Sequence, residues 1–202
     1  MKKKELEMIL QQVPPLDTPV PHLEQYMTPA TIAADVVFTA FQYGDIQNKT
    51  VIDLGCGTGI FSVGAFLAGA KKIIGVDVDK KSIAIARDYA KKQHYTIDFR
   101  IQDIQKLKTT CDTVLMNPPF GAQKSNQQAD RRFLEKGFGI AQVIYSLHLK
   151  KTIPFLELLI NALGGTITFE KEYCFPIKWM FPFHTKETAH YTVSLLRIRT
   201  PP

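Results

Sequence analysis

The 202 residues suffice for one domain with a short extension, and a composition of 45% hydrophobic and 22% charged residues excludes a disordered chain. The net charge of +6 permits contact with a polyanion without demanding it. Cys56, Cys111 and Cys174 are odd in number and far apart, which excludes a disulfide framework and zinc spacing and points to reduced thiols in a cytoplasmic protein without a metal.

The first stretch, MKKKELEMILQQ, suits a short helix over residues 2–12. Glu5, Glu7, Gln11 and Gln12 interrupt its apolar residues, so it does not read as a signal peptide, and no segment approaches the roughly 20 apolar residues of a membrane span. PPLDTPVP (14–21) cannot be regular structure, because its prolines remove donors and bias their neighbours to extended backbone. Residues 1–22 are therefore expected to be an N-terminal helix and a proline-rich strap, with the main domain running over 23–202. A helix restarts over 28–41, with Thr28 as N-cap and Pro29 at the first helical position.

From Thr50 onward strand and helix patterns alternate. TVIDLG, KKIIGVDV, YTIDFRI, CDTVLMN and AQVIYSLH read as strands. Between them, GIFSVGAFLAG, the amphipathic DKKSIAIARDYAKKQ with Asp79 as its cap, and 128–139 read as helices. TIPFLELLINALG is a further helix, ended by Gly164 or Gly165. The runs GTITFEKEYCF and TAHYTVSLLRIR have no helix between them and should pair antiparallel. The expected fold class is α/β: a Rossmann-like, doubly wound, mostly parallel seven-stranded sheet ending in an antiparallel C-terminal hairpin.

VIDLGCGTGI places Gly55, Gly57 and Gly59, with Thr58 between the last two, at a strand-to-helix turn where such sheets bind ligands. The spacing is G-x-G-x-G, shorter than the dinucleotide fingerprint, and no P-loop lysine follows. Asp53 precedes the turn, and Asp77 lies near the offset expected of an acid that grips ribose hydroxyls. Asp103 ends the next strand, near an adenine edge. A ribose acid, an adenine-edge acid and no phosphate grip suggest a nucleoside with a non-phosphate tail, for which S-adenosylmethionine is the obvious candidate.

VLMNPPFGAQKS stops an apolar strand at Asn117 and then presents two prolines and a ring. The nitrogen of a planar exocyclic amine is a poor nucleophile, because its lone pair is delocalised. Two acceptors, the Asn117 side-chain oxygen and the Pro118 carbonyl, can hold its hydrogens and aim the lone pair at a methyl group. Pro118 and Pro119 fix the backbone in advance, and Phe120 can stack on a base taken out of its stack. No strong base is required, so the absence of a Ser/His/Asp or paired-carboxylate signature is expected.

DLGCGTG, VDVD and NPPFG resemble class I S-adenosylmethionine-dependent methyltransferases of the amino-methylating kind. LEQYMTP, MNPPFG and VIYSLHLK narrow the resemblance to the family of methyltransferase-like protein five and its archaeal relatives, which form N6-methyladenosine in small-subunit ribosomal RNA. The resemblance spans roughly residue 20 to the end. It implies that Gln25 and Thr28 fold over the cofactor, and that Gly55, Thr58 and Ile60 line its methionine end. It further implies Asp77 on ribose, Asp103 near adenine, and Asn117, Pro118, Pro119 and Phe120 as a catalytic tetrad. Tyr26 reads either as a closure of the substrate pocket or as a core tyrosine. WMFPFHTKE (179–187) replaces a more lysine-rich loop. With Lys178, it interleaves Trp179, Phe181 and Phe183 with His184 and Lys186, a pattern that suits either single-stranded RNA or an ordinary packed hairpin. Some relatives are held by a small zinc-binding activator protein that adds a strand to a sheet edge, for which residues 95–101 would be the template.

The leading expectation is an RNA adenine-N6 methyltransferase. A guanine-N2 ribosomal RNA enzyme, a DNA adenine-N6 enzyme, a protein glutamine methyltransferase and a non-catalytic RNA-binding assembly factor are the alternatives.

Overall fold

The structure, a computed structural model, describes residues 2–20, 23–121, 128–178 and 188–201. Its strands are β1 (Thr50–Leu54), β2 (Lys72–Asp77), β3 (Asp98–Ile101), β4 (Cys111–Met116), β5 (Ala141–Leu149), β6 (Thr166–Lys178) and β7 (Thr188–Arg199). Among the described residues they form one seven-stranded sheet in the order β3-β2-β1-β4-β5-β7-β6. β1 to β5 run parallel, β7 pairs antiparallel with β5, and β6 pairs antiparallel with β7. The expected mixed sheet with a C-terminal hairpin is thus observed.

Side chains alternate across each strand, so each strand feeds two cores. Leu115 of β4 joins the layer beneath α1 (Lys3–Leu10), α2 (Ala30–Gln42) and α3 (Ile60–Leu67). Val114 and Met116 join the opposite layer, with residues of α5 (Ala129–Ile140) and α6 (Ile153–Ala162). Leu6 and Leu10 of α1 are buried in the first layer, so the N-terminal helix is packed into the domain core.

α4 (Lys80–Lys92) follows its sequence pattern. Ile83, Ala86 and Ala90 face inward, and the Asp79 carboxylate accepts the backbone N–H groups of Lys81 and Ser82 at 3.2 and 3.1 Å. α6 carries proline in its first turn and is followed by Gly164 at φ 76°.

Two local expectations are corrected. α2 begins at Ala30 with Pro29 in the N-cap position, and Thr28 does not cap it, because the Thr28 hydroxyl is bonded elsewhere. β3 starts at Asp98, since the Tyr95 ring leaves the ladder to pack against Phe66, 4.8 Å between centroids.

Candidate active site

Strand order reverses between β2-β1 and β4-β5, so the carboxyl ends of β1 and β4 part company there and leave a crevice. A cleft of about 890 Å³ occupies it, roofed by the strap and by residues 23–30.

The glycine turn forms the floor. Gly59 has φ 92°, and a Cβ there would stand 2.8 Å from Phe99 Cζ, so only glycine fits. Having no side chain, Gly59 cannot cap α3. The capping comes from β1, where the Asp53 carboxylate accepts the Ser62 N–H at 2.9 Å and the Ser62 hydroxyl at 2.7 Å. Burial pushes the Asp53 carboxyl up to about 7, the Ser62 bonds opposing and the nearby Asp77 charge reinforcing it.

Asp77 ends β2, and its two oxygens accept the Gly57 N–H at 2.8 Å and the Asp79 N–H at 2.9 Å. Each oxygen keeps lone-pair capacity for a second donor. Burial raises the Asp77 carboxyl, against the pull of those backbone bonds. Gly57 opposes it with open space where a Cβ would be, so a ligand can approach the turn backbone closely.

Across the cleft, β4 delivers Asn117. Its Nδ2 donates to the Thr28 hydroxyl at 3.0 Å, and Thr28 is itself buried. The Asn117 Oδ1 is buried and has no hydrogen-bond partner among the described residues. An unsatisfied buried acceptor costs about 1–3 kcal/mol and is rare away from functional sites. An amide held by its nitrogen, with its oxygen left over, is arranged to receive a donor.

The cleft is lined by Gln25, Tyr26, Thr28, Asp53, Gly55, Gly57, Thr58, Ile60, Asp77, Asp103, Asn117 and Pro119 among the residues singled out from sequence. Gln25 is a strut: its Oε1 accepts the Val20 N–H at 2.7 Å and its Nε2 donates to Asp79 at 2.9 Å, tying the strap to the start of α4. Asp79 lies below its usual range; burial opposes this, but the Ser82 hydroxyl, Gln25 and two backbone N–H groups outweigh it. Asp103 caps a short 3-10 turn, Ile104–Lys106, by accepting the Gln105 N–H at 2.9 Å. Burial pushes the Tyr26 hydroxyl up to about 12.

Three expected residues do not line the cleft. Gly59 is turned to Phe99, and Pro118 contributes no lining surface. Phe120 is 9% exposed, its ring edge-on to Phe175 at 5.5 Å and 85°. Lys178 closes β6 in backbone only, and Trp179, Phe183 and Lys186 lie outside the described residues.

Val78, Ile104, Phe133 and Pro176 line the cleft and were missed in the sequence. Val78 had a signal: an apolar residue directly after the strand-end acid, 49% exposed. Phe133 had none, because α5 brings it against Gly55 from 78 positions further along the chain; a Cβ at Gly55 would stand 3.1 Å from its ring. Cys56 also lines the floor, but burial raises its thiol well above the usual range, which leaves it inert.

The fold is a Rossmann-like doubly wound domain with its cleft at the topological switch point. The profile of the methyltransferase small domain matches residues 32–140. The chain is 38% identical to an uncharacterized protein of Methanocaldococcus jannaschii, over 98% of this chain and 94% of that one. It is 35% identical to the rRNA N(6)-adenosine-methyltransferase METTL5 of Danio rerio, over 98% of each. A crystal structure from Pyrococcus horikoshii, described as a candidate RNA methyltransferase, superposes with a TM-score of 0.92 at 35% identity, covering 100% of this chain and 99% of that one. The chain belongs to the methyltransferase small domain family.

Proposed function

We propose that this protein methylates the exocyclic N6 of an adenosine in RNA, small-subunit ribosomal RNA in particular, with S-adenosylmethionine as donor. The observation that carries the reading is the buried Oδ1 of the cleft residue Asn117, which has no partner among the described residues. Similarity to METTL5 over nearly the whole chain supports adenosine in ribosomal RNA as the substrate.

The residues of the cleft fit the donor. Asp77 has acceptor capacity for ribose hydroxyls, Gly57 leaves room for close approach, and Val78 and Ile104 offer apolar surface to an adenine beside Asp103. When bound, S-adenosylmethionine supplies an electrophilic methyl group. Gly55, Thr58 and Ile60 lie on the strand-to-helix turn that takes its amino-acid end, with Gln25 and Thr28 above.

The remaining work belongs to the chain. Asn117 Oδ1 accepts one hydrogen of the target amine. The Pro118 carbonyl, which does not line the cleft in this structure, accepts the other once the backbone of 118–120 shifts with the Phe120 ring. Together they favour the pyramidal form of the amine and disperse the positive charge that develops on nitrogen. Thr28 holds the Asn117 amide in that orientation. Proline at 118 and 119 removes backbone freedom before substrate arrives. The amine loses its proton to water only after becoming cationic, so no general base is needed. Phe120 meets the base once its ring turns from Phe175. Tyr26, Pro119 and Pro176 form the pocket wall. Lys178, Trp179, Phe183 and Lys186 serve the flanking RNA, and the net charge of +6 favours that polyanion.

β3 is an edge strand whose Asp98 and Arg100 side chains neutralise each other at 2.6 Å, while Ile101 is 44% exposed. A small zinc-binding activator protein adds a strand along it. The three free cysteines agree with a cytoplasmic protein, and no helix among the described residues is long and apolar enough to cross a membrane.

The test is incubation with methyl-labelled donor and unmodified ribosomal RNA, followed by nucleoside analysis. Label in N6-methyladenosine is expected. Label in N2-methylguanosine, in DNA or in protein glutamine would assign one of the other substrates, and no label with or without the activator would leave a binding protein.

A further inference from the structure

The end of β5 carries a chain of polar groups that neither the cleft floor nor the amine-holding residues use. His148 is fully buried, with Nδ1 2.6 Å from Asp130 Oδ1 and Nε2 2.6 Å from Ser146 Oγ. Ser146 is also fully buried. The order Ser–His–Asp is that of a nucleophilic triad, but a serine without exposed surface reaches no substrate. Both ring nitrogens are used: with the acceptor-only carboxylate at Nδ1, that nitrogen carries a proton and donates, and Nε2 shares a hydrogen bond with the serine hydroxyl.

What the array joins is informative. Ser146 is paired in the sheet with Met116, the residue before Asn117. Asp130 lies in the first turn of α5, and two and three positions on, Arg132 and Phe133 enter the cleft. α5 has no side-chain cap of its own at Gln128, so its first turn is pinned from outside. Its later part is tied to the turn after Asp103, where Lys136 Nζ donates to the Gln105 and Leu107 carbonyls at 3.1 and 3.0 Å.

We propose that His148 is a positioning residue. Through Asp130 it holds the first turn of α5 where Phe133 crosses the glycine turn at Gly55, and so sets the affinity of the cleft for the methyl donor. The inference rests on the S-adenosylmethionine reading above. A hydrogen bond from a buried imidazole to a carboxylate is strong, and its loss leaves that carboxylate short of a partner.

The test is calorimetric titration of the full chain with S-adenosylhomocysteine, beside single-turnover methylation at saturating donor. His148→Gln removes the donor at Nδ1, whereas His148→Asn places an amide N–H near that position. His148→Gln is expected to weaken binding about 10- to 100-fold, as loss of an orienting partner does elsewhere, with the saturated rate within about threefold of wild type. His148→Asn is expected to restore affinity to within about threefold of wild type. Wild-type affinity in a folded His148→Gln protein, or a loss confined to the saturated rate, would overturn the proposal. If His148→Gln does not fold, Asp130→Ala decides by the same two readings, with weakened binding in support and wild-type affinity against. Failure of the wild-type protein itself to bind S-adenosylhomocysteine would instead remove the donor reading.

Discussion

The amide nitrogen of Asn117 lies 3.0 Å from the hydroxyl of Thr28, 89 residues away in sequence, while its oxygen is left buried without a partner among the described residues. One bond fixes the side chain and thereby decides which of its two polar atoms is left over. Asn117→Ala removes the acceptor and is expected to lower the single-turnover rate by about 10²–10³, the cost of deleting one preorganised polar group in an active site. Thr28→Val leaves a similar volume but frees the amide to rotate, and a loss of roughly 10–100-fold is expected. In Asn117→Ala donor affinity, measured by equilibrium dialysis, should stay near wild type, whereas Thr28→Val, at a residue above the donor, should cost rate more than affinity. Equal losses in rate and donor binding would mean that Asn117 works as a cofactor ligand only.

Asp77 holds the turn through the Gly57 and Asp79 N–H groups, and its proposed ribose contact is a question of binding. Hydrogen bonds to a charged group contribute about 1.5–3 kcal/mol, so Asp77→Asn is expected to weaken S-adenosylhomocysteine binding roughly 10- to 100-fold. An amide keeps only one acceptor oxygen for the Gly57 and Asp79 N–H groups, so a modest loss of stability should accompany the weaker binding, with the circular dichroism spectrum still that of a folded chain. Undiminished binding would move the ribose contact to another residue.

Asp53 predicts an unusual pH dependence. Its folded carboxyl is pushed up to about 7, above the ordinary carboxylate value, so the folded chain holds that proton more tightly than the unfolded chain. Its contribution to stability is therefore fully present below about pH 4 and lost as pH rises through about 7. Asp35 acts in the opposite sense. Despite burial, bonds from Lys171, Lys3 and Tyr173 lower it to about 2, so its contribution is present above about pH 4 and lost as pH falls through about 2. Chemical denaturation from pH 4 to 8 should show Asp53→Asn with a flatter profile than wild type over that interval. Parallel profiles would refute the assignment.

Gly59→Ala is a test of the floor. A side chain at φ 92° is strained, and its Cβ would press on the Phe99 ring at 2.8 Å. A loss of about 1–3 kcal/mol in unfolding free energy is expected, read from urea midpoints. A neutral substitution would show that the turn and Phe99 relax together at no cost.

The local features were readable because each follows from a few neighbouring residues. Alternation of apolar strands with amphipathic helices, the G-x-G-x-G turn, the Asp79 cap and Gly164 after α6 are all short-range consequences of backbone sterics and hydrogen bonding. The glycine turn and Asp77 could be paired from sequence because the βαβ unit has a regular length. Thr28 was read as a helix cap on the same local logic, and there the logic failed: a competing partner from β4 claimed its hydroxyl.

What the chain alone determined is its order of elements and the chemical types at each strand end, since those depend on side-chain periodicity and turn residues. The tertiary structure alone decided which of these groups meet. Packing of the strap over α4 ties Gln25 to Asp79, and the seating of α5 puts Phe133 against Gly55. Pairing of β5 beside β4 carries His148 to the start of α5. Such contacts join residues tens of positions apart, and burial rather than local propensity selects them, because a buried polar atom must find its partner wherever the fold brings one.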